Sequence, residues 1–225
     1  MIRLALALLA VCPASQTAAV DVSAELGAVS DYRYRGLSLS DGKPAAQASI
    51  TFEHDSGAYG TIWSSTIEEP GFEADVEFDL TGGYSVELVE SLSLDLSATY
   101  YLYPSEQSSN YVEGTATVEY AQGPATLSAS VSFVPRQSGT KDEDDRKRRN
   151  SYWFLGAAYQ LPKLPLTVTA GLGHEAGFFD EVEQGGKWDW SLGASVAFES
   201  LRLGVTYTGT DIEEDALVAS LALDL

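Results

Sequence analysis

Hydrophobic and polar residues alternate one by one along most of the chain. The clearest run spans residues 92–103, where leucine, alanine and tyrosine occupy the even positions and serine, aspartate, threonine and tyrosine the odd ones. A helix would scatter those leucines around its axis, whereas a strand places them on one face. Similar runs follow each other to the end of the chain, separated by turn sequences such as Asp55-Ser56-Gly57-Ala58 and Gln122-Gly123-Pro124. The pattern predicts about twelve strands, near residues 20–35, 46–53, 59–63, 75–80, 92–103, 112–120, 125–133, 152–159, 166–173, 187–198, 201–208 and 216–225.

The two faces of these strands differ in the way expected of a transmembrane barrel. One face is apolar in strand after strand, and the other is polar or charged. The connections after odd-numbered strands are on the whole longer than those after even-numbered ones, as in bacterial barrels with short periplasmic turns and longer extracellular loops. We therefore predict an all-β fold, a transmembrane antiparallel up-and-down β-barrel, with both chain ends on the periplasmic side. The rival fold is a soluble β-sandwich or lipocalin-like barrel, whose strands also alternate.

Aromatic residues near the strand ends support the membrane interpretation, because outer-membrane barrels have an aromatic belt at each interface. The belt at the long-loop end is predicted to contain Tyr32, Tyr34, Phe72, Tyr100, Phe133, Tyr152, Trp188 and Tyr207. The belt at the short-turn end is predicted to contain Phe52, Tyr59, Tyr84, Tyr120, Tyr159 and Phe198.

The first residues have the three-part form of a secretory signal peptide. A basic start is followed by the apolar run Leu4 to Val11 and by small residues that end at Ala19. We predict cleavage after Ala19, a single barrel domain over residues 20–225, and export to the cell outer membrane. The only cysteine, Cys12, lies inside the predicted peptide and only weakly resembles a lipoprotein signal.

The formal net charge of -20 excludes the usual basic face of a nucleic-acid-binding protein. Without a cysteine after Cys12, the predicted mature chain has no thiolate for a metal or catalytic site. We predict no cofactor, no nucleic-acid partner and no enzymatic activity. The expected partners are outer-membrane lipid and small solutes or cations.

Four segments give the chain a family resemblance. They are Ser30-Asp31-Tyr32 with Arg35-Gly36-Leu37-Ser38, Glu77-x-Asp79 with Gly82-Gly83-Tyr84, Tyr100-Tyr101-x-Tyr103-Pro104, and Trp188-x-Trp190-x-Leu192-Gly193. In this order they resemble the proteobacterial TorF-like porins, a family of unknown function. The resemblance implies an outer-membrane barrel with a pore-like role and supplies no catalytic residues. The carboxyl end departs from the usual pattern of such barrels, because the last residue is Leu225 where an aromatic residue is expected.

The charged faces of the strands predict an acidic lumen. The inward carboxylates are expected to be Asp21, Glu25, Glu53, Asp75, Glu77, Asp79, Asp95, Glu113, Glu119 and Asp189. Arg33 and Arg35 are predicted near the outer rim, and Arg202 beside a periplasmic turn. A narrow tube of one charge sign concentrates counter-ions. The sequence thus predicts a cation-preferring channel for passive diffusion, with selectivity residues Arg33, Arg35, Asp75, Glu77, Asp79, Asp95, Glu113 and Glu119. The alternative is that Arg33 and Arg35 only pair with these acids and brace the wall.

Two other functions stay open at this stage. The first is a closed barrel with a structural or adhesion role, in which bulky side chains fill the lumen. Tyr101, Tyr103 and Trp153 are predicted to point inward and are large enough to do so. A lipid-modifying enzyme is the less favoured alternative, since His54 is expected at a turn and His174 at a rim without a marked serine partner. Residues 134–150 are predicted to be an exposed mobile loop, in which Asp142 to Asp145 lack the spacing of a calcium cage.

Overall fold

A computed structural model describes residues 19–68, 71–182 and 185–225. Within these residues, twelve strands form a closed barrel, and a two-stranded hairpin lies between the first and second of them. The strands are β1 (Val20–Val29), β2 (Arg33–Tyr34), β3 (Leu37–Ser38), β4 (Ala45–His54), β5 (Ala58–Thr66), β6 (Val76–Val89), β7 (Leu92–Leu102), β8 (Tyr111–Gln122), β9 (Ala125–Val134), β10 (Asn150–Gln160), β11 (Leu166–Gly177), β12 (Lys187–Phe198), β13 (Leu201–Thr210) and β14 (Ala216–Asp224). The predicted fold class and the number of barrel strands are confirmed.

Every barrel strand pairs antiparallel with its neighbours in sequence, and β1 closes the barrel by pairing with β14. At this seam Leu26 lies opposite Leu223, so the apolar faces of the first and last strands join. Long connections alternate with short turns such as residues 55–57 and 90–91, which confirms the predicted alternation. We refer below to the long-loop end and the short-turn end of the barrel.

The outer surface of the barrel is apolar. Large hydrophobic side chains in the middle of the strands are exposed, among them Leu96 at 51%, Leu155 at 62% and Leu192 at 62% of their surface. The inward face has the polar half of each alternation, as the pairs Thr51 with Thr61 and Thr81 with Thr99 show through their hydroxyl hydrogen bonds. Among the described residues, no helix is long and apolar enough to cross a membrane.

The first strand is shorter than its sequence pattern predicts. β1 ends at Val29, and the alternating residues 31–40 leave the barrel wall and fold as the β2–β3 hairpin. Tyr32 and Tyr34 therefore do not belong to an outer belt, because both rings contact inward residues. The backbone groups that follow Val29 can form hydrogen bonds either in an extension of β1 or in the β2–β3 hairpin. The alternation of side chains is the same in both cases, so it does not distinguish the two.

The two aromatic belts are confirmed in part. Tyr100, Phe133, Trp188 and Tyr207 are exposed at the long-loop end, and Phe52, Tyr84, Tyr120, Tyr159 and Phe198 at the short-turn end. Tyr59 and Tyr152 point inward, where their hydroxyls bind Asp95 and Asp189, and Phe72 packs on Tyr103. Trp153 is 62% exposed on the outer face, contrary to its predicted inward position. Tyr152 and Trp153 thus face the sides opposite to those predicted, since the alternation of β10 places Trp153 on the outer face with Leu155 and Tyr159.

Candidate functional site

The site begins with the segment that leaves β1, which we call the lumen hairpin, residues 31–40. Its two-residue turn is Arg35-Gly36, with φ of 50° and 82°. Positive φ at both positions defines the tight turn that suits a hairpin, and it is strained for any residue with a Cβ, as Arg35 has. A Cβ at Gly36 would collide with Thr210 and the carbonyl of Gly209. The turn therefore needs glycine at position 36 and leaves Arg35 in a conformation that its contacts must stabilise.

Asp31 holds the base of the lumen hairpin. Its carboxylate accepts hydrogen bonds from the Ser38 hydroxyl at 2.6 Å and the Ser40 hydroxyl at 3.2 Å, and from Arg33 Nε at 2.6 Å. Burial raises the pKa of Asp31, but the Ser38 hydroxyl and the Arg33 guanidinium outweigh it, and the pKa lies below its usual value of 3.8. A lowered pKa stabilises the fold while the group is ionised. Asp31 thus strengthens the hairpin above pH 3.8, and this contribution is lost as the pH falls further.

The side chain of Arg35 lies in the centre of the lumen. Its guanidinium binds both carboxylate oxygens of Glu113 on β8, at 2.6 and 2.7 Å, and one oxygen of Glu175 on β11, at 2.6 Å. It also lies 4.1 Å above the ring of Tyr152 on β10. Only 6% of the Arg35 side chain is exposed. Bidentate pairing of a guanidinium with a carboxylate is strong and directional, so Arg35 fixes the hairpin to β8 and β11.

Glu175 is shared between two cations. Lys187 Nζ on β12 lies 2.9 Å from its second oxygen, and Asn150 donates a hydrogen bond of 2.9 Å to the first. Glu175 and Lys187 are each only 1% exposed. We call Arg35, Glu113, Glu175 and Lys187 the arginine cluster. Its two cations and two carboxylates balance each other, as buried charges require.

Tyrosines surround the acids on the other side of the hairpin. Tyr32 and Tyr103 donate hydrogen bonds of 2.9 and 2.8 Å to the two carboxylate oxygens of Glu77 on β6. Asp79, two residues further along β6, has a buried Oδ1 without a hydrogen-bond partner among the described residues. The Tyr34 hydroxyl lies 2.8 Å from that of Tyr101 on β7. The hairpin thereby contacts inward side chains of β5 to β8 as well as β10 and β11.

The structure brings some of the predicted selectivity residues together and separates others. Arg35, Glu113, Glu77 and Asp79 surround the lumen hairpin, and Arg33 lies at its base. Asp75 is exposed in the loop before β6. Asp95 and Glu119 point inward nearer the short-turn end, where the hydroxyl of Tyr59 binds Asp95 at 3.0 Å.

Two members of the arginine cluster, Glu175 and Lys187, were not predicted as lumen residues. The predicted strand 166–173 stops before Glu175, whereas β11 continues to Gly177. The alternation of β11 continues past Gly173, and it places Glu175 on the same inward face as Gly171 and Gly173. Lys187 shares the inward face with the predicted Asp189, two residues later.

Cavities lie on both sides of the lumen hairpin. The outer cavity, about 610 Å³, is lined by loops of the long-loop end and by Tyr34, Glu77, Glu175 and Lys187. The inner cavity, about 400 Å³, lies against Arg33, Arg35, Tyr152 and Asp189. Residues of the lumen hairpin line both cavities, so the hairpin lies between them.

One protein family matches nearly the whole chain. Residues 13–224 match the family described as "Bacterial protein of unknown function (Gcw_chp)". The chain belongs to this family. The match does not test the resemblance of this Gcw_chp protein to TorF-like porins, which stays a prediction. No curated protein matches the sequence.

Solved structures resemble the Gcw_chp barrel in fold. The KdgM porin matches with a TM-score of 0.62 and 8% identity over 90% of this chain and 97% of that chain. The NanC porin matches with a TM-score of 0.59 and 8% identity over 91% of this chain and 98% of that one. An outer membrane channel from Pseudomonas putida F1 matches with a TM-score of 0.54 and 11% identity over 95% and 98% of the two chains. This Gcw_chp protein therefore has the fold of an outer-membrane porin.

The loop of residues 135–149 has an internal bridge between Lys141 and Lys147, and most of its residues from 141 to 149 are exposed, as predicted. Asp142 accepts hydrogen bonds from the Arg146 backbone and from the Arg148 side chain, at 2.9 and 3.2 Å, and Thr140 is fully buried. The acidic and basic halves of the loop thus bind each other.

His174 lies on the outer face, with its ring 4.6 Å from that of Trp188, and its Nε2 contacts the Gly185 carbonyl. His54 lies at the end of β4, where its Nδ1 contacts the Ser56 hydroxyl.

Proposed function

We propose that this protein is an outer-membrane channel for passive diffusion of small solutes, with a preference for cations. The observation that supports the proposal best is the barrel itself, apolar outside and polar inside, with a cavity on each side of the lumen hairpin. A protein with so many exposed large hydrophobic side chains around its whole circumference needs lipid as its surroundings. The predicted signal peptide, which lies outside the described residues except for Ala19, agrees with export.

The distribution of lumen charges supports the preference for cations. The cations Arg33, Arg35 and Lys187 each bind a carboxylate, so they cancel part of the acidic charge. Asp79, Asp95, Glu119 and Asp189 point inward without an ion pair among the described residues. The charge of Asp95 and Glu119 acts in a narrow tube with walls of low dielectric constant, which raises the local concentration of cations.

Reversal potentials in planar bilayers test this proposal. Under a salt gradient, the sign of the reversal potential of the wild-type channel should show that cations permeate better than anions. The Asp95→Asn, Glu119→Gln double variant should move this potential toward zero, because it removes two inward charges. The control is Asp75→Asn with Glu143→Gln, which removes two exposed charges and should leave most of the preference. An anion-selective wild-type channel would contradict the preference.

A closed barrel is the second candidate, and the position of the lumen hairpin favours it. The hairpin crosses the lumen and binds walls on several sides. If folded, reconstituted protein gives no conductance at any voltage, the structural or adhesion role is correct and the diffusion channel is wrong. The prediction that the protein is not an enzyme stays a prediction.

A further inference from the structure

The inner cavity differs in chemistry from the rest of the lumen. Its wall is formed mainly by β12, β13 and β14, which contribute four hydroxyl groups. They are those of Ser191, Thr206, Thr208 and Ser220. The side chains of Ser191, Thr206 and Ser220 have no hydrogen-bond partner among the described residues, whereas Thr208 donates to the Trp190 carbonyl at 3.2 Å. Three hydroxyls, each able to donate and accept, are thus available in one wall.

Asp189 adds a free acceptor to this wall. The residue is 6% exposed and lines the cavity, and its Oδ1 accepts a hydrogen bond of 3.0 Å from Tyr152. Its Oδ2 is buried and has no partner among the described residues. A buried acceptor left without a donor is costly, so a rotation of the Asp189 side chain that turns Oδ2 toward a donating ligand in the cavity gains more than an ordinary hydrogen bond.

Glycines on the inward face leave room for the side chains that line the cavity. A Cβ at Gly173 would collide with Asp189 Oδ2 and with the Tyr152 hydroxyl, and one at Gly204 would meet the Ser220 hydroxyl at 2.5 Å. The ring of Phe154, which also lines the cavity, lies against Gly171. The wall therefore combines hydrogen-bonding groups with aromatic faces in a volume of about 400 Å³, within the roughly 300–1,000 Å³ of small-molecule sites.

The charged groups around the cavity do not form a site for an ion of one sign. Arg33 and Arg35 line the cavity on the hairpin side and Asp189 lines its wall, so the lining carries charges of both signs. Both guanidiniums are already bound, to Asp31 and to Glu113 with Glu175. The described residues also contain no group of three or more acids and histidines arranged to hold a metal ion. A neutral ligand with several hydroxyl groups satisfies all of these conditions.

We propose that the inner cavity is a binding site for a neutral polyhydroxylated solute, a sugar or a polyol. Vicinal hydroxyls of the solute donate to Asp189 Oδ2 and exchange hydrogen bonds with Ser191, Thr206 and Ser220. The apolar face of a sugar ring packs on Phe154. The proposal deepens the proposed function by giving the diffusion path a solute site, but binding itself does not require conduction.

The test measures binding of D-glucose and of sorbitol to the purified full chain in detergent. Saturation-transfer NMR detects the binding, and titration with each solute gives its affinity. Wild-type protein should bind at least one of the two saturably. Asp189→Asn should weaken the affinity about tenfold, because a hydrogen bond to a charged acceptor is replaced by one to a neutral amide. Thr206→Val should weaken it several-fold, since it removes a free hydroxyl at nearly constant volume.

Thr117→Val is the matched control, because Thr117 also points inward without a hydrogen-bond partner among the described residues but lies on β8, outside the cavity lining. Its affinity should equal that of the wild type. Absence of saturable binding to both probes, or equal affinity in all four proteins, overturns the proposal. Stronger binding of methylammonium or of Na⁺ than of the sugars also overturns it, since the site would then select cations. Binding without conductance would instead contradict the diffusion channel and leave the solute site intact.

Discussion

Replacing Arg35 with alanine should open the barrel. The guanidinium is the only side chain of the lumen hairpin that binds acids on both β8 and β11, and it is 6% exposed. Removing one partner of a buried ion pair leaves the other charge uncompensated, which lowers stability by about 3–5 kcal/mol. Here the lost stability releases the lumen hairpin and leaves the barrel intact, because Arg35 takes no part in the hydrogen-bonded ladder of the twelve barrel strands. Unit conductance in planar bilayers should therefore rise several-fold.

Arg202→Ala is the control for this variant. Arg202 also binds two acids, Glu25 at 2.5 Å and Asp224 at 3.1 Å, but it is about half exposed and far from the lumen hairpin. Exposed ion pairs contribute little, so its conductance should match the wild type. Wild-type conductance in Arg35→Ala, with unchanged protease resistance of the segment 31–40, would contradict the role assigned to the arginine cluster.

A lysine in place of Leu155 should destabilise the protein strongly in lipid. Leu155 lies in the middle of β10 and points outward, with 62% of its surface exposed. A lysine on the lipid face near the bilayer midplane costs about 2–4 kcal/mol. The free energy of unfolding in phospholipid vesicles, measured by urea titration with tryptophan fluorescence, should fall by this amount.

Leu164→Lys is the matched variant, because Leu164 is similarly exposed, at 55%, but lies in the turn between β10 and β11. Its stability should stay within about 0.5 kcal/mol of the wild type. The comparison also separates the membrane barrel from the rival soluble barrel. In a soluble protein Leu155→Lys replaces an exposed leucine on a wet surface and has little effect.

The strand ladder illustrates how far local sequence patterns determine this fold. The run of residues 92–103 became β7 with its predicted faces, and residues 112–120 and 125–133 became β8 and β9. Each of these predictions depends on neighbours within a few positions, since the two faces of a strand are set by its own alternation. The pattern failed by one residue at β10, where Tyr152 and Trp153 are both aromatic and the alternation does not say which of them faces inward.

The alternation of apolar and polar residues was thus sufficient to determine the class of the protein, the number of barrel strands and most of the lumen acids. The path of residues 31–40 was decided by the tertiary structure, although the same alternation continues through them. Their partners are distant in sequence, since Glu113 lies 78 residues and Glu175 140 residues from Arg35. Only closure of the barrel brings these acids to one level of the lumen, where both bind the guanidinium of Arg35.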